Sequence, residues 1–113
     1  MAAVANLSID QGATFTSDIT VKDINGNVFD LTGYTAVAKL AKGYSSTRTR
    51  TAMTTAFATD RTTGVLTISL TAVQTAALDA ERYVYDVEIT SSTGAVTRVL
   101  EGIITVRPEV STS

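Results

Sequence analysis

The stretch from Leu66 to Ile89 constrains the fold of this chain more than any other, because its hydrophobic period changes twice. Apolar and polar residues alternate at both ends of the stretch, which is the pattern of a strand with one buried face. Between these ends, Thr71 and Gln74 have the spacing of a helical capping box. We therefore predict two core strands joined by a short helical turn over about 71–78, which carries the chain from one sheet to the other. The side chains expected at the heart of the core are Leu66, Ile68, Leu70, Leu78, Tyr83, Tyr85, Val87 and Ile89.

Similar alternating segments recur along the rest of the chain and are separated by turn residues such as Asn25-Gly26 and Gly94. The abundant threonine and valine favour the pleated, half-buried surface of a sheet. Turn signals at intervals of roughly ten residues are typical of a β-sandwich. The sequence therefore predicts an all-β, antiparallel sandwich of about seven or eight strands.

One domain is expected for the whole chain, because two domains sharing 113 residues would each bury too little surface. We predict a single domain over 1–113, with its core over about 5–108 and a short flexible tail at 109–113. The chain is thus predicted to fold around one core.

The last predicted strand runs from Ala95 to Val106 and is interrupted by Gly102. A bulge at this glycine would let Val96 and Leu100 share the core with Ile104. We expect all three of these apolar side chains to be buried.

The chain contains neither histidine nor cysteine. This excludes the Ser-His-Asp arrangement, the usual zinc ligands and thiol chemistry. The eleven acidic residues are scattered over strands and turns, as solvated residues are, rather than paired in one site. We expect no enzymatic activity, no cofactor, and no catalytic or metal-binding residues.

The segment from Asp23 to Asp30 has the composition of a calcium loop. An EF-hand needs glycine at its sixth position and a carboxylate at its twelfth, whereas Gly26 is fourth here and Tyr34 is twelfth. A hairpin turn whose asparagine side chains bond to nearby backbone groups is therefore favoured, and a bound calcium ion is the alternative.

The net charge of −2 and the pI of about 4.9 do not suit a protein that binds a phosphate backbone. The first ten residues lack the basic region and long apolar segment of a secretory signal. No apolar run approaches the ~20 residues that span a bilayer. We expect synthesis in the cytoplasm and neither a nucleic-acid nor a membrane partner.

One loop is locally basic, because it contains Lys42, Arg48 and Arg50, with Tyr44 beside them. It is either a docking arm for an acidic partner surface or a solvated hairpin tip. For a nucleic acid the solvated tip is favoured, whereas for a protein partner the two readings are balanced. We predict that these four residues contact a protein partner.

Several strand and turn motifs carry a resemblance to a known group of proteins. They are Asp30-Leu-Thr-Gly-Tyr34, Thr63-Gly-Val-Leu-Thr-Ile-Ser-Leu-Thr71, Gln74-Thr-Ala-Ala-Leu78, Tyr83-Val-Tyr-Asp86 and Gly94-Ala-Val-Thr-Arg-Val-Leu-Glu-Gly-Ile-Ile-Thr-Val106. From about Leu7 to Pro108 the chain resembles small virion structural proteins of tailed bacteriophages, notably cyanophages. It is also similar to the immunoglobulin-like N-terminal domain of phage baseplate upper proteins. The resemblance implies an immunoglobulin-like sandwich that serves as an assembly module, and it implies no catalytic residues.

The resemblance sets the expected function and location. We expect a virion protein that decorates or cements the capsid, with the major capsid protein or tail and baseplate proteins as partners. Baseplate upper proteins continue into receptor-binding domains, which these 113 residues do not include, so lattice decoration is favoured. A tail, neck or baseplate adaptor that attaches a fibre is the alternative, and self-association stays open. A carbohydrate-binding module is less favoured, because there is no tryptophan and only Tyr34 and Tyr44 could stack on a sugar.

Overall fold

The computed structural model describes residues 3–43 and 49–108. Within these ranges the chain forms eight strands, a 3-10 turn at Arg61–Thr63 and one α-helix. The strands are β1 (Ala3–Val4), β2 (Leu7–Asp10), β3 (Phe15–Thr20), β4 (Thr35–Ala41), β5 (Arg50–Phe57), β6 (Val65–Leu70), β7 (Arg82–Thr90) and β8 (Val96–Arg107), and the helix is α1 (Ala72–Ala76). The predicted all-β class, strand number and single short helix are confirmed.

The strands form one curled sheet in the order β1-β8-β7-β4-β5-β6-β3, with β2 also paired to β8. β5 turns the corner, because residues 50–53 pair with β4 whereas residues 54–57 pair with β6. The two halves of the sheet enclose one hydrophobic core. The two expected layers are therefore halves of a continuous sheet that share β5.

The prediction that every strand pair is antiparallel is wrong at one edge. Both β1 and β2 run parallel to β8. A parallel pair needs a long crossover connection, and the whole chain between β2 and β8 supplies it here. Alternation of apolar residues reports which face of a strand is buried and carries no information about strand direction.

The central stretch folds as predicted. β6 lies in one half of the sheet between β3 and β5, and β7 lies in the other half between β4 and β8. The Thr71 hydroxyl accepts a hydrogen bond from the Gln74 amide at 3.2 Å, and the Gln74 side chain accepts one from the Thr71 amide at 2.8 Å. All eight side chains expected at the heart of the core are at most 6% exposed.

The short helix is also tied to the opposite end of the chain. Thr75 is fully buried, and its hydroxyl donates to the Ala13 carbonyl at 2.9 Å. A buried hydroxyl with a hydrogen-bond partner avoids the cost of an unsatisfied polar group.

Among residues 3–43 and 49–108, no helix has the length and apolar character needed to cross a membrane.

The irregularity in β8 lies at a different residue from the one predicted. The pairing of β7 with β8 skips Val99, because Val87 lies opposite Leu100 while Glu88 lies opposite Arg98. The bulge therefore brings both Val99 and Leu100 toward the core, at 6% and 7% exposure. The residues before the bulge shift by one position, which reverses the face they occupy. Val96 was expected in the core but is 60% exposed.

Gly102 stays in register opposite Tyr85. Glycine is needed there because another segment of backbone approaches closely. A Cβ atom at this position would overlap the carbonyl oxygen of Ala5, so the segment between β1 and β2 crosses directly over the glycine. That segment is held by the Tyr85 hydroxyl, which donates to the Ala5 carbonyl at 2.6 Å. The Ala5 amide also donates to the Glu101 carbonyl at 3.0 Å. Gly102 thus makes room for the N-terminal strands.

The buried Tyr85 phenol predicts a loss of stability in alkali. Burial raises the pKa of Tyr85 to about 12, above the ordinary value of 10.0. The folded chain therefore keeps a proton that the unfolded chain releases, so stability falls as the pH rises from 10 to about 12. The Tyr85→Phe variant has no phenol proton to release at this position, so it lacks this dependence of stability on pH. It also loses the hydrogen bond to Ala5, worth about 1 kcal/mol. In urea unfolding at a series of pH values, the parent should have the higher free energy of unfolding at neutral pH. The difference between parent and variant should shrink above pH 10. Curves that stay parallel would contradict the prediction.

The segment that resembles a calcium loop is a turn. The Asp23 carboxylate accepts hydrogen bonds from the amides of Asn25 and Asn27 at 2.9 and 3.0 Å. The Gly26 amide donates to the Asp23 carbonyl at 3.0 Å. The favoured interpretation of a tight turn is confirmed, although an aspartate rather than the asparagines supplies the side-chain acceptor.

Candidate docking surface

The structure describes two of the four predicted contact residues. Lys42 directly follows β4 and Arg50 begins β5, whereas Tyr44 and Arg48 lie outside the described residues. The two described side chains border different depressions of the surface. Lys42 and Arg50 therefore lie at two separate places on the surface.

Lys42 is compensated within its own chain. Its ammonium group lies 2.5 Å from the Asp79 carboxylate and 3.2 Å from that of Glu81. Hydrogen bonds to Asp79 and then to Glu81 raise the pKa of Lys42 above its ordinary value. A reversed charge at Lys42 would place three carboxylates together, so the change would act on these ion pairs as well as on a docking surface.

The surroundings of Lys42 are built by the connection that leaves α1. The Tyr83 hydroxyl accepts from the Asp79 amide at 2.9 Å and donates to the Asp79 carbonyl at 3.1 Å. This fixes the backbone that carries one of the two carboxylates. The depression beside it has a volume of about 400 Å³ and is also lined by Thr49, Thr51 and Leu78. Lys42, Asp79 and Glu81 thus form an ion-pair cluster that joins the end of β4 to the connection between α1 and β7.

Arg50 belongs to the solvent-facing side of β4, β7 and β8, which we call the outer face. A shallow depression of about 280 Å³ lies on this face, and its lining includes Arg50, Lys39, Asp86 and Glu88. Lys39 pairs across the strands with Asp86, and Val37 pairs with Glu88. Two rows of the face therefore combine a β4 residue with an acidic β7 residue.

The outer face is partly apolar. Val37, Val96 and Ile103 are exposed by 48%, 60% and 39%. Val84, opposite Ile103 in the register, adds a half-buried aliphatic group beside Ile103. Scattered apolar residues are normal on a surface, but here they share one side of adjacent strands with charged residues. Exposed aliphatic groups gathered on one face of a rigid sheet are available for contact with another protein.

The acidic side of the outer face is ordered by one arginine. The Arg98 guanidinium lies 3.5 Å from the Asp86 carboxylate and 3.2 Å from that of Glu101. These groups are 35–48% exposed, so each pair contributes little to stability. Their main effect is to hold the Asp86 carboxylate in place on the face.

Sequence reasoning missed the outer face and concentrated on the loop. The available signal was that β4 and β8 carry β-branched residues on both sides, since Val37 and Ile103 alternate with buried neighbours. A strand of a sandwich with a purely solvated outer side would place polar residues there. The bulge at Val99 was not predicted from the sequence, and it moves Val96 onto this face.

Two carboxylates with lowered pKa values stabilise turns, namely those of Asp30 and Asp60. Hydrogen bonds from the Thr32 hydroxyl and amide lower the pKa of Asp30, and those from Thr62 lower the pKa of Asp60 in the same way. Asp60 thereby caps the 3-10 turn. Within the described ranges, no three acidic, histidine or cysteine side chains are grouped so that they could hold a metal ion.

Similarity to known proteins was found among solved structures. No protein-family model matches the chain, and a search of curated proteins gave no match. Among solved structures, the chain is similar to an internalin-like protein of Listeria monocytogenes, lmo2027, with a TM-score of 0.49 and 18% sequence identity. The match covers 94% of this chain and 28% of that one. The chain thus spans less than a third of the length of this neighbour.

Proposed function

We propose that the protein is a non-enzymatic structural component of a tailed-bacteriophage virion and that it decorates or cements the capsid. The resemblance of the segment from about Leu7 to Pro108 to small phage virion proteins supports the proposal. The structural observation that carries it is the outer face, which presents aliphatic and charged groups on a rigid sheet. A rigid domain with such a face is suited to act through protein–protein contacts.

A decoration protein stabilises a capsid by binding across neighbouring subunits. A single contact of this kind can be small, because attachment at several points of a lattice raises the effective concentration for each further contact. The loop between β4 and β5 and the chain ends are the segments that a rigid sheet leaves available for such contacts. The proposed partner is therefore the major capsid protein.

A position in the tail, neck or baseplate is the second candidate. It is favoured by the resemblance to the N-terminal domain of baseplate upper proteins. Both assignments use the same fold and the same type of contact, and they differ in copy number per particle. A decoration protein should be about as abundant as the capsid subunits, whereas an adaptor should match the few copies of a ring or fibre.

The carbohydrate-binding alternative is weakened by the placement of Tyr34. Its ring meets the edge of Phe29 at a centroid distance of 5.5 Å and an interplanar angle of 79°. The Tyr34 side chain is half-buried and packs against the hydrophobic core. A ring engaged in this way offers less of its face to a sugar than an exposed aromatic platform does.

Charge reversal in the loop should weaken capsid attachment. The variant Arg48→Glu with Arg50→Glu replaces two cations that would meet an acidic capsid surface, and we expect roughly tenfold weaker retention on isolated capsids. Co-sedimentation of the variant with capsids measures this. Lys42 is left unchanged because its ammonium group already pairs with Asp79 and Glu81 within the chain. Lys22→Glu, a reversal of an exposed lysine outside the loop, is the matched control and should be retained like the parent. Equal retention of all three proteins would rule the loop out as the contact.

A further inference from the structure

We propose that the outer face binds the same face of a second copy of this chain, around a two-fold axis that runs along the strands between β4 and β7. A two-fold interface uses one surface patch twice, so the patch must be complementary to itself. The distribution of charge on the outer face meets this condition.

The two signs of charge lie side by side on neighbouring strands. Lys39 is on β4, and the residue opposite it in the register is Asp86 on β7. Arg50 extends the basic side through β5, and Glu88 extends the acidic side along β7. Among the described residues Lys39 has no ion-pair partner, so its charge is open to a second molecule.

The direction of the axis follows from this pattern. When two copies of a sheet face each other around an axis along the strands, β4 of one copy lies over β7 of the other. This places Lys39 over the partner's Asp86, and the reciprocal contact forms at the same time. An axis across the strands through the row of Lys39 and Asp86 would instead place β4 over β4 and bring like charges together. Like charges facing each other oppose association, so the axis along the strands is favoured.

The register strengthens the central contact. The Asp86 carboxylate also lies 3.5 Å from the Arg98 guanidinium of its own chain. Packed sheets lie about 10 Å apart and are rotated by roughly 30°, so strand correspondence is best at the centre of the interface. The pair of Lys39 with Asp86 is therefore the contact on which the dimer depends most.

The size of the outer face predicts a weak dimer. Three strands and the start of β5, spaced by about 4.8 Å, give a face of roughly 19 Å by 23 Å over about seven residues. This is smaller than the roughly 800 Å² per partner of a standard interface. The dimer should therefore form in concentrated solution and dissociate on dilution. In an assembled lattice, neighbouring attachment points would strengthen it.

Two single reversals and their mixture test the proposal. In a Lys39→Glu dimer each new glutamate faces the partner's Asp86, and in an Asp86→Lys dimer each new lysine faces the partner's Lys39. Two repulsive contacts form in either dimer, so each variant alone should self-associate about tenfold more weakly than the parent. In an equal mixture, the new glutamate of one chain faces the new lysine of the other, and the unmodified Lys39 and Asp86 also meet. The mixture should therefore recover association close to that of the parent. Sedimentation equilibrium over a range of concentrations measures all of these proteins.

The mixture separates the interface from effects within one chain. Asp86→Lys also removes the ion pair with Arg98, and this loss is identical in the pure variant and in the mixture. Lys22→Glu is the control and should associate like the parent. A parent that stays monomeric at all concentrations, or a mixture no stronger than its components, overturns the proposal. The test uses the purified chain alone, so its outcome is independent of whether the virion assignment holds.

Discussion

Replacing Ile68 by alanine is expected to lower the free energy of unfolding by about 2–5 kcal/mol. Ile68 lies on β6, the middle strand of its half of the sheet, and its side chain is fully buried. It faces the opposite half of the sheet within one core, so truncation removes apolar contacts and leaves a cavity. A domain of this size has only about 5–15 kcal/mol of stability in total. Urea unfolding followed by circular dichroism measures the loss.

Ile24→Ala is the matched control for this substitution. It makes the same chemical change at a residue that is 92% exposed in the turn after β3. The expected change in stability is within about 0.5 kcal/mol of zero. If both variants lost the same stability, the assignment of Ile68 to the centre of the core would be wrong.

Replacing Gly102 by alanine is expected to cost about 1–3 kcal/mol and to release the N-terminal strands from β8. The added methyl group would overlap the Ala5 carbonyl, which is backbone and cannot move without the whole segment. Displacing Ala5 breaks its hydrogen bond from Tyr85 and its bond to Glu101. Hydrogen exchange of the amides in β2 reports this release, and we expect their protection to fall.

Gly94→Ala is the control for the glycine substitution. Gly94 also has a positive φ, of 93°, but nothing lies within 4 Å of a Cβ atom built there. Its cost is the left-handed backbone alone, about 1 kcal/mol, and the exchange of β2 should be unchanged. Unchanged β2 protection in Gly102→Ala would show that the glycine does not make room for the N-terminal segment.

Much of the fold could be predicted from local pattern. The capping box of Thr71 and Gln74 and the alternation around Ile68 and Tyr85 are confirmed, because each depends on residues close together in the chain. The parallel pairing of β2 with β8 could not be predicted, since it depends on how the ends of the chain meet. The bulge also escaped prediction. The sequence marked Gly102 as the irregular residue, whereas pairing with β7 places the irregularity at Val99.

The candidate site was harder to predict than the fold. A run of cations in a polar segment is visible in sequence, but the partners of Lys42 are 37 and 39 residues away on the connection after α1. The outer face is assembled from three strands whose register sets which charges are neighbours. The contact between Lys39 and Asp86 is defined only once β4 is paired with β7.

The most direct test of the proposed function is the quantity and position of this chain in purified virions. Quantitative mass spectrometry against the major capsid protein gives the copy number, and density for the intact particle gives the position. The proposal predicts an abundance comparable with that of the capsid subunits, with the domain on the outer capsid surface. Abundance at the level of a ring or fibre would move the protein to the tail, neck or baseplate. Its absence from purified virions would contradict the structural role altogether.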